Sequence, residues 1–199
     1  LKGIANAKGE LINNIKKNGT IILNRDDKYF NYLKKKAKLK KLKIVSFGMS
    51  KKSNIFPISV KKIKNKIRLI VKINDQILKF NIKNLNIYNV LASLAVLKEI
   101  NLNLNQVINL FMKYEPTEGR GKIYKIKRYN KRFKLIDESY NANPLSVKIA
   151  INNFNFIKKQ KFKKYLLLGD MLELGDKSET LHKNLSKVIN NSDIDKVFI

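Results

Sequence analysis

Ile4, Leu11 and Ile15 recur at helical spacing with Lys8 in the same series, and Gly19 follows as a stop signal, so residues 1–17 are expected to form a helix. "TIILN" then reads as a buried strand, with "RDD" at its carboxyl end. A polar, lysine-rich helix is predicted over residues 28–40, leading to the strand "KIVSFG". Between Ile55 and Ile82 the pattern switches to alternation, in "KIRLIVKIN" and "QILKFNI" with "ND" between them, which predicts an antiparallel hairpin insert. Helical period returns in "NIYNVLASLAVLKEI", and "NLNQVINLFMKY" adds a second short helix.

"EPTEGRG" combines a proline with two glycines and reads as a linker, so a domain boundary is placed near residue 117, dividing the chain into 1–117 and 118–199. Beyond it come a strand pair, "KIYKIKRY" and "FKLIDESY", a helix, the strand "YLLLGDM", another helix and the strand "KVFI". Alternating strands and helices without internal repeats predict an α/β fold with parallel strands.

Composition narrows the setting. The 199 residues are 44% hydrophobic, enough for a packed core. The absence of cysteine excludes disulfides and thiolate metal sites and points to a reducing cytoplasm. No apolar run approaches the roughly 20 residues that cross a bilayer, and the start carries no signal-peptide core, so a soluble protein without a membrane partner is expected. Both ends read as cut, the first directly in a helical pattern and the last in a strand.

A net charge of +28 invites a nucleic-acid reading, because lysine-rich surfaces attract phosphate backbones. Arginine, the side chain suited to bidentate phosphate and base contacts, is limited to Arg25, Arg68, Arg120, Arg128 and Arg132. Lysine, asparagine and isoleucine are enriched together along the whole chain, and the basic runs "YLKKKAKLKKLK" and "IKKQKFKK" precede strand-like segments. A solvated lysine surface is therefore the expectation, with no nucleic-acid partner.

Candidate chemistry concentrates at predicted strand ends. Asn143 is suited to cap a helix that Pro144 opens, with Val147, Ala150, Ile151 and Phe154 as its apolar stripe. Asp137 and Glu138 stand at the carboxyl end of the preceding strand, where open α/β sheets bind ligands. A helix N-terminus there accepts phosphate, and a carboxylate accepts ribose hydroxyls. The plainer alternative is that Asn143 only caps and Asp137 only ends a strand. Lys8 shares the apolar series of its helix. Burial favours the neutral, nucleophilic amine, which can take up carbon dioxide to become an anionic magnesium ligand; the alternative is a lysine snorkelling to water. Asn24, Asp26 and Asp27 could meet a ligand or make a turn, and Asn86 and Asn89 could cap a helix or present amides to a base edge. Gly169 and Asp170 end another strand, and His182 is the only histidine. No G-x-x-x-x-G-K-[ST] occurs, so these residues include no phosphate-cradling loop of that type.

In order and spacing, "IANAKGELI", "IILNRDD", "NIYNVLA", "EGRG", "DESYNANPLS" and "LLLGDMLELG" with His182 resemble the Mur ligases, and specifically the branch that adds D-alanyl-D-alanine to UDP-N-acetylmuramoyl-tripeptide. The resemblance implies that residues 1–117 are the later part of a P-loop-type central ATPase domain with a hairpin insert. It implies that 118–199 are the first part of a Rossmann-like C-terminal domain that closes over the nucleotide. It further implies ATP and Mg2+ as cofactors, a monomer, and a fragment inactive without its phosphate loop. By match, Lys8 would be the family's carbamylated lysine holding magnesium. Asn86 and Asn89 would lie near adenine, although Leu85 replaces the usual histidine. Asn24, Asp26 and Asp27 would line the nucleotide. Arg120 would be the arginine after the hinge, Asp137 the aspartate near the ribose, and Tyr140, Asn141 and Asn143 parts of one ATP- and substrate-facing loop. Asp170, Glu173 and His182 would belong to the closed active site.

Overall fold

A computed structural model describes residues 2–64, 66–83, 85–155, 157 and 162–199, without the side chains of Lys2 and Ile4. Leu1, with which the predicted first helix begins, and much of the basic run "IKKQKFKK" lie outside the described residues. The chain divides into two compact units, Leu1–Tyr114 and Glu115–Ile199. Among the described residues no helix is long and apolar enough to cross a membrane.

In the first unit, α1 (Lys2–Asn14) leads to β1 (Thr20–Asn24), α2 (Phe30–Leu39) and β2 (Lys43–Phe47). The two strands pair in parallel from Thr20↔Lys43 to Asn24↔Phe47. Strand alternation sends neighbouring residues to opposite faces. Thus Ile22, Val45 and Phe47 pack with the helix α3 (Ile87–Glu99) in the main core. Ile21 and Ile44 pack on the other side, against Ile12 of α1 and Leu33 and Ala37 of α2.

The segment predicted as a hairpin insert is a three-stranded meander, β3 (Ile55–Ile63), β4 (Lys66–Ile73) and β5 (Gln76–Ile82). It is not separate: one parallel bridge, Phe47↔Ile55, makes the order β1-β2-β3-β4-β5 a single sheet. Its inward residues Leu69, Val71, Ile73, Leu78, Phe80 and Ile82 join Val90, Leu91, Leu94 and Ala95 of α3 in one cluster. Each fully buried aliphatic side chain there contributes about 1.5–3 kcal/mol. The predicted second short helix is two pieces, α4 (Leu104–Val107) and α5 (Leu110–Lys113).

The second unit opens with the hairpin β6 (Lys122–Arg128) and β7 (Lys131–Asp137). Tyr129 and Asn130 both have positive φ, 50° and 56°, as a two-residue type I′ turn requires. Then follow α6 (Pro144–Asn155), β8 (Tyr165–Leu167), α7 (Ser178–Asn190) and β9 (Lys196–Phe198), with β8 and β9 parallel. Ile151, Met171 and Leu185 are its buried apolar residues among those described. Beside them Lys164 is also buried, with its ammonium 2.6 Å from Asp193 and donating to the last carbonyls of α6, Phe154 and Asn155. A buried cation is tolerated because these acceptors replace its water.

Candidate functional site

In the first unit, the carboxyl ends of β1 and β2 and the amino end of α3 meet at Asp26. Its Oδ2 accepts the Met49 N–H at 2.5 Å and the Tyr88 hydroxyl at 3.1 Å. Burial first, and then the hydrogen bond to Asp26 and its charge, push the Tyr88 phenol above its ordinary pKa. Asn24 and Asp27 make local turns, accepting the N–H groups of Asp26 and Tyr29. Asn86 caps α3 by accepting the Tyr88 N–H at 2.8 Å, and Asn89 stands one turn on; both are exposed. Leu85, where the resemblance expects histidine, packs against the main core. Tyr88 escaped the sequence reading, although it sits inside the "NIYN" run singled out for its amides.

Lys8 requires a correction. It is exposed, and among the described residues it makes no hydrogen bond or ion pair. The buried face of α1 runs through Ala5, Gly9 and Ile12, whereas Leu11 is 67% exposed. The reason is close packing on α2: a Cβ added to Gly9 would stand 3.1 Å from Lys36 Nζ. Small residues therefore mark the contact face, and the burial inferred for Lys8 is absent.

In the second unit, "EGRG" and "DESYNAN" form a pair of interlocked loops. Asp137 Oδ2 accepts the Gly119 N–H at 2.9 Å, and Oδ1 accepts the Ser139 hydroxyl and N–H at 2.6 and 3.1 Å. The Ser139 hydroxyl, then the Gly119 and Ser139 N–H groups, hold this carboxyl below its ordinary pKa. The Tyr140 N–H donates back to the Gly119 carbonyl at 3.1 Å. Gly119 has φ of +71°, and a Cβ there would lie 2.6 Å from that of Tyr140, so only glycine fits. Glu138 is exposed as a residue, but its carboxylate lies over Gly121, whose added Cβ would be 3.1 Å from Oε1. That local burial, then the charge of Asp137, raises its pKa.

Asn143 caps α6: its Oδ1 accepts the N–H groups of Leu145 and Ser146, and Ser146 Oγ accepts the Asn143 N–H in return. This reciprocal pairing is a capping box with serine in the third helical position. Arg120, Tyr140, Asn141 and Asn143 line one cavity of about 280 Å³ together with Gly119, Glu138 and Ser146. A larger cavity of about 500 Å³ lies at the β4–β5 turn, lined by Asn74, Asp75, Gln76 and Lys98, and includes none of the candidate residues. Greater volume without convergent chemistry makes the smaller cavity the better candidate.

Asp170 and Glu173 are exposed, while His182 is a strut. Its Nε2 accepts the Met171 N–H at 3.0 Å, so the proton belongs on Nδ1, which donates to the Ser178 carbonyl at 2.8 Å. Asp170 is 3.9 Å from Nε2. Among the described residues no three of histidine, aspartate and glutamate gather into a metal-ligand group.

Residues 1–97 match the family model described as the Mur ligase middle domain. Along its whole length the chain is similar to the Mur ligases. It is 31% identical, over its whole length, to the UDP-N-acetylmuramoyl-tripeptide–D-alanyl-D-alanine ligase of Buchnera aphidicola subsp. Baizongia pistaciae, and spans 42% of that relative. Among solved structures, MurF from Acinetobacter baumannii superposes with a TM-score of 0.78 at 23% identity, covering 98% of this chain and 42% of that one. The MurF ligase from Thermotoga maritima in complex with ADP gives 0.74 at 20% identity, covering 98% and 43%. These similarities show a mixed α/β fold of the Mur ligase kind.

Proposed function

We propose that this chain is the segment of an ATP-dependent, ADP-forming ligase that joins D-alanyl-D-alanine to UDP-N-acetylmuramoyl-tripeptide. Residues 1–117 would be the later part of its ATP-binding central domain and 118–199 the opening of its Rossmann-like C-terminal domain. The observation that carries the reading is the single cavity gathering Arg120, Tyr140, Asn141 and Asn143, in a chain related along its whole length to a ligase of that name.

Each unit by itself carries groups suited to a nucleotide. Asn86 and Asn89 are exposed amides, one of which keeps its NH2 donors after capping with Oδ1, so they can meet a base edge. Arg120 offers a planar fork for phosphoryl oxygens, where charge accumulates during transfer. Asp137 acts here by holding Gly119 and Ser139, which fixes the loop that presents Arg120, Tyr140 and Asn141. Asn143 starts α6 at the same loop. His182 would serve by bracing the 170–175 segment, not by transferring a proton, because both ring nitrogens are committed.

For Mg2+ the described residues do not make a site by themselves. Lys8 is a single exposed candidate ligand, with no carboxylate or histidine cluster among the described residues. In the reaction, an oxygen of the tripeptide carboxylate attacks the γ-phosphorus and ADP leaves. The D-alanyl-D-alanine amine then attacks the acyl carbon, expelling phosphate and losing a proton. The test is ADP release by the uninterrupted gene product, which should require both the UDP-linked tripeptide and D-alanyl-D-alanine. Release with either one alone at the full rate would refute the assignment.

A further inference from the structure

We propose that Tyr140 is a positioning residue whose ring holds the Arg120 guanidinium over the cavity, with its hydrogen-bonding edge left open for an anion. The proposal depends on the preceding reading only for which reaction that anion belongs to.

Arg120 sits 4.2 Å from the centre of the Tyr140 ring, the shortest of the cation–ring contacts among the described residues; the others run from 4.9 to 5.7 Å. A guanidinium that stacks uses its face, and its five N–H donors remain at the edge. Among the described residues those donors make no hydrogen bond or ion pair. An exposed arginine without such support samples many rotamers, so stacking lowers the cost of ordering it on a ligand.

Tyr140 is itself poorly explained as packing, because it is 67% exposed and its hydroxyl has no partner among the described residues. Yet its backbone is held against Gly119. Its N–H donates to the Gly119 carbonyl, Gly119 leaves no room for a Cβ beside it, and Asp137 holds the Gly119 N–H. The chain of contacts runs Asp137, Gly119, Tyr140, Arg120, and ends at the cavity both last residues line. A rigid backbone beneath an exposed ring, with a cation on its face and open donors at its edge, fits a support for Arg120.

The experiment uses the uninterrupted gene product with Tyr140→Leu, Tyr140→Phe, Arg120→Ala and the double variant Arg120→Ala/Tyr140→Leu. Loss of the stack should lower kcat about tenfold, with KM for ATP changed less than about twofold. Tyr140→Phe should restore most of that loss, and Tyr140→Leu should cost no more than about twofold once Arg120 is alanine. A full additional loss in the Arg120→Ala background, or Tyr140→Phe as damaging as Tyr140→Leu, overturns the proposal. A second readout is independent of turnover. The Arg120 side-chain NMR signals should show a ring-current shift in the parent and in Tyr140→Phe that vanishes in Tyr140→Leu, and its absence from the parent overturns the stack. A parent that shows the shift but no turnover would refute the ligase reading and support the stack.

Discussion

The two units are held together by different means. In the first, α3 and the five-stranded sheet share a continuous apolar cluster. In the second, apolar burial among the described residues is confined to Ile151, Met171 and Leu185, and the structure leans on polar struts: Lys164 with Asp193, Asp137 with Gly119 and Ser139, His182 with Met171. Apolar packing is indifferent to pH and proportional to area, whereas polar struts are directional and depend on protonation. The unit that carries the cavity is thus the one whose loops are set by geometry instead of bulk.

The largest expected effect lies in the apolar unit. Leu94→Ala, at a fully buried position of α3, should destabilise that unit by about 3 kcal/mol, read from denaturant-dependent hydrogen exchange of the α3 amides. A loss below about 1 kcal/mol would mean the cluster is not what holds the sheet. In the second unit, Lys164→Met should cost about 2 kcal/mol, less than a fully enclosed pair because Asp193 is 39% exposed. Exchange in α6 and β8 should accelerate while α3 is unchanged; acceleration in both would erase the distinction.

Smaller effects sharpen it. Asn143→Ala should cost about 1 kcal/mol by removing the α6 cap, with Asn143→Asp close to the parent. Asp137 gives a pH signature. Its folded pKa lies below the ordinary value, so its contribution is fully present above that ordinary value and is lost as pH falls through the lowered one. Acid unfolding of the second unit should precede that of the first and become shallower in Asp137→Asn. An unchanged acid limb would remove Asp137 from the loop's support.

What could be read from sequence follows the physics of each element. Helices and strands built from large apolar residues at regular spacing, such as α3 and β4, announce themselves through periodicity. The buried face of α1 did not, because it is made by Ala5 and Gly9, whose smallness is the point of the contact. Alternation marked the strands from Ile55 to Ile82, but one parallel bridge from Phe47 to Ile55 decides whether they extend the sheet, and such a bridge leaves no local pattern. The cap at Asn143 was legible from "NANP", whereas the Asp26 link to Tyr88 spans 62 positions and could not be. Arg120 and Tyr140 each stand in a legible motif, but their contact depends on Gly119 bringing two loops together.

The proposed acyl phosphate would carry an oxygen from the tripeptide carboxylate into the released phosphate, which isotope labelling can follow. UDP-N-acetylmuramoyl-tripeptide labelled with 18O in the carboxylate that reacts should be incubated with ATP, D-alanyl-D-alanine and the uninterrupted gene product, and the released phosphate examined by mass spectrometry. The account predicts one 18O in each phosphate formed, matched to one new peptide bond. Unlabelled phosphate would contradict it.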